Sequence, residues 1–359
     1  MSNGPGRCEG RECGTCDIGE NRNNRRRDLA ALYIVDNNLA PVMSESYGEC
    51  ELFLGSAANA FYSTLWQRAA AEGITVLISS GDQGSAACDP TGPRQNLAVH
   101  PIAVSGLAST PYNVAVGGSD FNQYGVWTQY WSQTNGPVTK QSVLGYIPEI
   151  PWNDSCGSTI VDAFYGQDPA VACNGGGAGT LNLNTIATSG GPSSCTVSNG
   201  TDPATCKGGW PKPVWQAGTG VPGDGVRDIP DVSLFAGDGS QSNSAYVVCD
   251  VHLTSGSGCD PSASTQTFIA VGGTSGSAPV MAGVMAIINQ KYGRQGNANY
   301  TFYRLASSAN AASIYHDITV SGNRVACTTW SSDCEVPVGA TEPNLCCSGH
   351  SARRQDRAS

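Results

Sequence analysis

The run Ile74-Thr75-Val76-Leu77-Ile78 is the feature that most constrains how this 359-residue chain can fold. Five consecutive β-branched or aliphatic residues, with no polar alternation, are typical of a strand buried on both faces of a parallel sheet. The run enters the glycine-rich turn Ser79-Ser80-Gly81-Asp82-Gln83-Gly84. Because open α/β sheets place their sites beyond the carboxyl ends of such strands, this turn is a candidate site and Asp82 its candidate side chain. Without further support, Asp82 would be interpreted as a turn residue that binds its own backbone.

Helical and strand patterns alternate around this run. Apolar periodicity predicts helices over residues 28–37 and 56–72, and strands over residues 42–47, 102–105 and 113–117. Helices that alternate with continuous apolar strands form a mostly parallel central sheet with helices on both faces. The predicted fold class is therefore α/β.

The octapeptide Gly272–Pro279, with the sequence G-G-T-S-G-S-A-P, is the second informative string. It follows an apolar run, residues 267–271, that predicts a strand, and it opens a segment of small and aliphatic residues that predicts a buried helix ending at Gly293. A strand that leads into a helix through this turn leaves the Ser275 hydroxyl at the helix N-terminus, where unsatisfied N–H groups can hold an oxyanion. A serine nucleophile is presented for acyl transfer in this way. The alternative is a turn that only caps a core helix.

The two strings together resemble the sedolisin family of serine-carboxyl peptidases. Four further stretches carry the resemblance in order along the chain: Ser46-Tyr47-Gly48-Glu49-Cys50-Glu51, Val116-Gly117-Gly118-Ser119-Asp120, Pro148-Glu149-Ile150-Pro151-Trp152-Asn153 and Pro230-Asp231-Val232-Ser233. The match covers roughly residues 28–334. It implies a subtilisin-like fold and a secreted, serine-type acid endopeptidase that acts on protein or peptide substrates.

The resemblance assigns catalytic roles to two side chains. Ser275 matches the nucleophile, and Asp82 matches an aspartic acid that donates a hydrogen bond to the oxyanion, which it does only when protonated at low pH. The family's general base is a glutamate supported by an aspartate four residues later on one helix, a spacing that places both carboxyls on one face. No glutamate of this chain has an aspartate four residues later, and the pair Glu45/Glu49 lies on a strand-and-turn segment. We therefore expect the chain as given to be inactive.

The resemblance also assigns a substrate edge and half of a metal site. Ser46, Tyr47 and Gly48 match the strand edge that pairs with the substrate backbone. Such main-chain pairing depends little on the amino-acid sequence of the peptide. The alternative is that Gly48 only ends a strand. Asp317 and Ile318 match the first half of a calcium site, in which the aspartate carboxylate and the isoleucine carbonyl bind the ion. No glycine-rich loop ending in aspartate follows residue 334, so the second half of that site is missing.

Composition divides the chain into three segments. Residues 1–27 show no periodicity of either kind, and we expect them to be disordered. Residues 28–335 carry the predicted catalytic domain. Residues 336–359 are polar and basic and predict no buried strand. We hypothesise that both end segments are foreign to the family sequence.

The chain has 15 cysteines, and the body of the chain is predicted to hold five disulfides. The pairs 195/206, 249/259 and 327/334 bracket polar loops, and Cys50 and Cys88 both follow predicted strand ends, so that a bond across the edge of the sheet is open to them. Residues 174–209, rich in Gly, Ser, Thr and Asn, predict a disulfide-pinned surface loop near the substrate cleft. Such cysteine usage indicates an oxidising compartment and secretion. The ten cysteines of the body are Cys50, Cys88, Cys156, Cys173, Cys195, Cys206, Cys249, Cys259, Cys327 and Cys334.

Charge narrows the range of partners. Residues 28–339 carry 23 acidic and 10 basic side chains, and an acidic body argues against nucleic acid as a partner. No apolar run reaches the length of a membrane span, so no membrane partner is expected. We expect a monomer.

Two other functions compete with the peptidase. One is a non-catalytic sedolisin-like remnant or peptide-binding protein, which would keep the fold without the general base. The other is a disulfide-rich adhesion or carbohydrate-binding module. Regular short strands, which such a module would need, are not predicted, and it would not explain the pairing of the two strings.

Overall fold

The computed structural model describes residues 22–91, 97–173, 183–249, 268–328, 331–335 and 346–348. The helices are α1 Arg22–Asp36, α2 Glu51–Ala71, α3 Thr159–Phe164, α4 Pro169–Cys173, α5 Thr274–Tyr292 and α6 Asn299–Ala306. The strands are β1 Val42–Glu45, β2 Thr75–Ser79, β3 Val114–Phe121, β4 Glu149–Pro151, β5 Gly191–Pro192, β6 Asp228–Ile229, β7 Val232–Phe235, β8 Tyr246–Val248, β9 Ile269–Val271, β10 Ala326–Cys327, β11 Cys334–Glu335 and β12 Cys346–Ser348.

The central sheet has five strands and is mostly parallel, as predicted. Strand β2 lies between β1 and β3 and is parallel to both, with Leu77 opposite Val114. Strand β3 continues to β7, which is also parallel, and its last residues pair with β4 in the antiparallel direction. All five residues of β2 are buried, which explains why the sequence shows no polar alternation there.

Helices cover both faces of this sheet. On one face, α1 and α2 pack against β2, and the buried cluster includes Trp66 and Ile78. On the other face, α5 and α6 pack against β2 and β3, and the cluster includes Leu77 and Met285. The alternate residues of one buried strand therefore serve two separate cores, and the predicted three-layer α/β arrangement is confirmed.

Helix α5 is not buried all round, and in this respect the sequence prediction was wrong. Met281 and Met285 are buried against the sheet, but Val280 is 41% exposed and Ile287 is 70% exposed on the outer side. The first 17 residues of the helix, from Thr274 to Gln290, carry no charge. A helix that is apolar on every side is usually buried on every side. The uncharged sequence of α5 therefore predicted full burial, and nothing in the local sequence marks its exposed side.

Helix α2 has a kink at Gly55, whose φ of 65° and ψ of 176° are not helical, so the regular helix after the kink starts at residue 56, as predicted. In the turn before the kink, the buried Glu51 carboxylate accepts hydrogen bonds from the backbone N–H groups of Ser194 and Cys195, which are distant in sequence. One other local prediction differs from the structure. Residues 102–105 form isolated bridges rather than a strand. The Ile102 N–H donates to the Asp333 carboxylate, so that part of the backbone bonds to loops and not to the sheet.

The C-terminal part of the chain contributes a strand that the sequence did not predict. Strand β12, Cys346–Ser348, lies between β10 and β11 and is antiparallel to both. Strand β9, which precedes α5, pairs only with β8 among the described residues and stands outside the central sheet.

Disulfide bonds connect several of these elements. The described bonds are Cys50–Cys88, Cys156–Cys173, Cys195–Cys206 and Cys327–Cys334, in agreement with the three predicted pairs that can be followed. Cys249 is also disulfide-bonded, and its predicted partner, Cys259, lies outside the described residues. Within the part of the chain that the structure describes, none of the helices has the length and apolar character to cross a membrane.

Candidate active site

The two sequence strings meet at one point of the fold. Strand β2 ends at Ser79 and brings Asp82 to the carboxyl edge of the sheet, and α5 begins at Thr274. The Thr274 N–H and its Oγ1–H both donate to Asp82 Oδ1, at 2.8 and 2.7 Å. Ser275 follows directly and is exposed. The structure therefore brings the predicted hydroxyl and the predicted carboxyl to the same helix terminus.

Glycine at position 273 makes this approach possible. Gly273 is the N-cap of α5 and has φ +84°, a conformation that side chains rarely adopt. A Cβ at this position would lie 2.8 Å from Asp82 Oδ2. The string thus requires glycine because the carboxyl group occupies the space that a side chain would need.

Replacing Gly273 with alanine is expected to displace the Asp82 carboxyl and to lower the free energy of unfolding by about 1–3 kcal/mol. The reason is that alanine is strained at this positive φ and that its Cβ would clash with Asp82 Oδ2. Urea denaturation measures the loss. Gly145→Ala is the matched control, because a Cβ at Gly145 would meet nothing within 4 Å and its φ is ordinary. Equal stability of the two variants would contradict this account of Gly273.

The environment of Asp82 favours its protonated form. Burial raises the pKa of the Asp82 carboxyl, and the negative charge of Asp238 raises it further, against the two Thr274 hydrogen bonds, which lower it. A carboxyl group whose pKa is raised keeps its proton to a higher pH than a free aspartate. It can then act as a hydrogen-bond donor.

A polar loop supports the turn that carries Asp82. The Ala187 N–H donates to the Asp82 carbonyl at 3.2 Å, and the Ser189 N–H donates to the Gly81 carbonyl at 2.8 Å. Residues 187–189 belong to the segment predicted to be a surface loop near the cleft. These three residues lie against the site, but they are buried rather than on the surface.

One cleft of about 500 Å³ contains all the predicted catalytic and substrate-binding residues. Ser46 Oγ donates to the Ser275 carbonyl at 2.9 Å, which ties the segment after β1 to the first turn of α5. The cleft is lined by Ser46, Tyr47, Gly48, Glu49, Cys50, Phe53, Ser79, Gly81, Asp82, Gln83, Ala87, Cys88, Asp89, Pro90, Ser105, Thr274 and Ser275.

Tyr47 is held by an arginine that the sequence analysis did not connect with the site. The Arg27 guanidinium lies over the Tyr47 ring, 3.3 Å from its centroid, and its Nε lies 3.0 Å from Glu45 Oε1. Burial raises the pKa of Glu45 to about 7, against the lowering effect of the Arg27 charge. Arg27 stands at the end of the segment interpreted as anomalous, and no local pattern marks it as a partner of Tyr47.

In the described part of the cleft, the Ser275 hydroxyl has no carboxylate as a hydrogen-bond partner. Three carboxyl groups line the cleft, those of Glu49, Asp82 and Asp89, and within the described ranges none of them is hydrogen-bonded to Ser275 Oγ. Asp89 is bonded to the His100 ring at 2.9 Å. The expectation that the chain lacks the family's general base stays a prediction.

Three further aspartates, the buried Asp120 and Asp154 and the half-buried Asp238, cluster behind the Gly272–Ser275 turn. A Cβ at Gly272 would lie 2.5 Å from the Asp238 Cα. Burial raises the pKa of Asp120 to about 7, and burial together with the Asp238 charge raises the pKa of Asp154 well above its usual range. Sequence reasoning missed this cluster, because its members come from three separate strings.

The proposed calcium ligands are not assembled into a site by the described residues. The Asp317 side chain is exposed and Ile318 is buried. Groups of three or more His, Cys, Asp or Glu side chains that could hold a metal are absent from the described part of the chain. Calcium takes six to eight oxygen ligands, so two residues do not fit the ion by themselves. Calcium binding stays a prediction and enters no step below.

Comparison with known proteins agrees with the fold. The sequence model of the subtilase family, peptidase S8, matches residues 4–317. Kumamolisin from Bacillus sp. (strain MN-32) is 27% identical over 293 residues, which are 79% of this chain and 37% of kumamolisin. Tripeptidyl-peptidase 1 from Homo sapiens is 35% identical over 88 residues, which are 24% of this chain and 15% of that protein.

A solved structure shows the same fold. Pseudomonas sedolisin, a serine-carboxyl proteinase complexed with two molecules of pseudo-iodotyrostatin, superposes with a TM-score of 0.55 at 22% identity, over 92% of this chain and 67% of that chain. The chain spans less than two fifths of the length of kumamolisin.

Proposed function

Since the chain belongs to the subtilase family as a sedolisin-like member, we propose that its cleft carries out the acyl-transfer chemistry of a serine-type acid endopeptidase on protein or peptide substrates. Ser275 is the nucleophile and Asp82 stabilises the oxyanion. The observation that carries the proposal is the pair of hydrogen bonds from Thr274 to Asp82 Oδ1, since Thr274 directly precedes Ser275 and both Asp82 and Ser275 line the same cleft.

The Thr274 hydrogen bonds determine which oxygen of Asp82 carries the proton. Oδ1 accepts two hydrogen bonds and therefore acts as an acceptor, so the proton of the neutral acid is on Oδ2. Oδ2–H can donate to a developing oxyanion at the start of α5. Because burial raises the pKa of Asp82, this donor persists above the pH at which a free aspartate ionises, and activity is favoured in acid.

The segment Ser46–Gly48 receives the peptide. It leaves the edge strand β1, lines the cleft, and is anchored to Ser275 by the bond from Ser46 Oγ. An extended peptide that pairs with this segment would bring its carbonyl to Ser275. The disulfides of the fold support secretion into an oxidising compartment.

The lack of a base contact limits what this cleft can do to an amide. Attack by Ser275 releases a proton, and the leaving amine needs one; both transfers are the work of a general base and acid. Without that group, amide hydrolysis is slow, whereas peptide binding and oxyanion stabilisation remain. Peptide binding without turnover is therefore the second candidate function.

An activated ester tests attack by Ser275 and oxyanion stabilisation separately from proton transfer to the leaving group. A peptidyl p-nitrophenyl ester needs no proton on its leaving group before the bond breaks, and water can take the proton that the Ser275 hydroxyl releases. Ser275 should therefore be acylated slowly at pH 5, with release of p-nitrophenol. We expect mass spectrometry to find one acyl group on Ser275, and we expect no cleavage of the matching peptide amide at the same pH.

Two variants make this test specific. Ser275→Ala should remain unacylated. Ser277→Ala is the matched control from the same turn, since the Ser277 hydroxyl is buried and donates to the Leu234 and Phe235 carbonyls; it should still be acylated at Ser275 while folded. Acylation at a different residue, or none in the parent chain, would overturn the proposed chemistry. Amide cleavage that is lost in Ser275→Ala would show that a base is present.

A further inference from the structure

One wall of the Ser275 cleft is apolar. Phe53, at the start of α2, is 38% exposed and contacts the His100 ring edge-on. The Cys50–Cys88 disulfide and Pro90 continue the same lining. A wall of this kind suits the aliphatic part of a substrate side chain, because it buries methylene groups without requiring a hydrogen bond.

Glu49 is the carboxylate of this lining that retains capacity for a ligand. Its Oε1 accepts a hydrogen bond from the Cys50 N–H at 3.1 Å, and its Oε2 has no hydrogen-bond donor among the residues that the structure describes. Asp82, in contrast, is held by Thr274, and Asp89 accepts from two backbone N–H groups and from the His100 ring.

The charge of the lining has one sign. The described lining residues include three carboxyl groups and no lysine or arginine. Burial raises the pKa of Glu49, and the charge of Arg27 lowers it. Arg27 is already engaged by Glu45 and the Tyr47 ring, so among the described residues Glu49 has no ion-pair partner of its own.

We propose that Glu49 selects a lysine or arginine side chain of the peptide bound beside Ser275, with the aliphatic stem on Phe53 and the Cys50–Cys88 disulfide and the cationic head on Glu49 Oε2. This inference rests on the proposed function, because it assumes that a peptide occupies the cleft. Long basic side chains bury their stems along apolar surface while the charged head seeks a polar partner. A partly buried carboxylate gives such a head a stronger bond than water-exposed acids do.

The test compares lysine with norleucine, which has the same four-carbon stem and no charge. Fluorescein-labelled alanine hexapeptides carry a single lysine, or a single norleucine, at each of the six positions in turn. Fluorescence anisotropy measures their binding to the full chain with Ser275→Ala, which prevents acylation, at pH 6. We expect one position at which lysine binds roughly tenfold more tightly than norleucine, as for a hydrogen bond to a charged group.

Glu49→Gln should remove this preference and leave the affinity for the norleucine peptide unchanged. Glu72→Gln, the same substitution at the far end of α2 and outside the cleft, should keep it. Equal binding of lysine and norleucine at every position would overturn the inference and leave peptide binding standing. A lysine preference that survives Glu49→Gln would also overturn it. If no hexapeptide binds, the proposed peptide cleft itself fails.

Discussion

Replacing Asp231 with alanine is expected to lower the free energy of unfolding by about 3–5 kcal/mol, the cost of removing one partner of a buried ion pair. Both side chains of the Arg227–Asp231 pair are fully buried, and two guanidinium nitrogens bond to the two carboxylate oxygens at 2.7 and 2.5 Å. Asp231 also accepts from the Ala115 N–H of β3 at 2.8 Å and from the Tyr303 hydroxyl at 3.0 Å. Without the Asp231 carboxylate, the buried Arg227 guanidinium loses the counter-charge to which it is hydrogen-bonded.

Urea denaturation at pH 5 measures this loss, with two comparisons. Asp36→Ala removes a carboxylate from the exposed pair with Arg68 and should leave the denaturation midpoint unchanged. The double variant Arg227→Met/Asp231→Leu removes both charges and should be more stable than Asp231→Ala alone. The account is wrong if Asp231→Ala unfolds at the same urea concentration as Asp36→Ala, or if the double variant is the less stable of the two Asp231 variants.

The protein is expected to lose stability as the pH rises from about 4 to about 7. Burial raises the pKa of Asp120 to about 7, whereas an aspartate in an unfolded chain ionises near pH 4. A group whose pKa is raised by folding stabilises the folded state fully below its unfolded pKa, and this stability is lost as the pH rises through the folded pKa. One such group corresponds to about 4 kcal/mol across this window, and the raised pKa of Asp154 acts in the same direction.

Asp120→Asn should reduce the pH dependence by about that amount, since asparagine does not ionise and still accepts the hydrogen bond from Ser242 Oγ. The measurement is the free energy of unfolding at pH 4, 5.5 and 7 for the parent and the variant. Asp202→Asn is the control, because this exposed aspartate caps a short helix and asparagine caps equally well. A parent chain that is more stable at pH 7 than at pH 4 would refute the prediction.

Local sequence was sufficient to predict an element where an apolar run or a short motif carries all the information. The apolar run of β2 predicted a buried parallel strand, and the two glycine-rich strings predicted the turn of Asp82 and the helix terminus of Ser275. In each case the information lies within a few residues, because strand burial and helix starts are local properties.

Partners that are distant in sequence could not be predicted. Arg27 contacts Tyr47 from another element, and the Glu51 carboxylate binds backbone N–H groups near residue 195. The prediction that α5 is fully buried was wrong for a different reason. An apolar helix gives no local signal of which of its sides pack against the rest of the protein. Thr274 belongs to the octapeptide Gly272–Pro279, but its two hydrogen bonds to Asp82 could not be predicted, because Asp82 is distant in sequence.

A crystal structure of the chain with a peptide aldehyde at pH 4 tests the central claim most directly. We predict a covalent bond between Ser275 Oγ and the former aldehyde carbon, with the resulting oxygen about 3 Å from Asp82 Oδ2, where a protonated acid would donate to it. An aldehyde that leaves Ser275 unmodified, or an adduct whose oxygen points away from Asp82, would contradict the account.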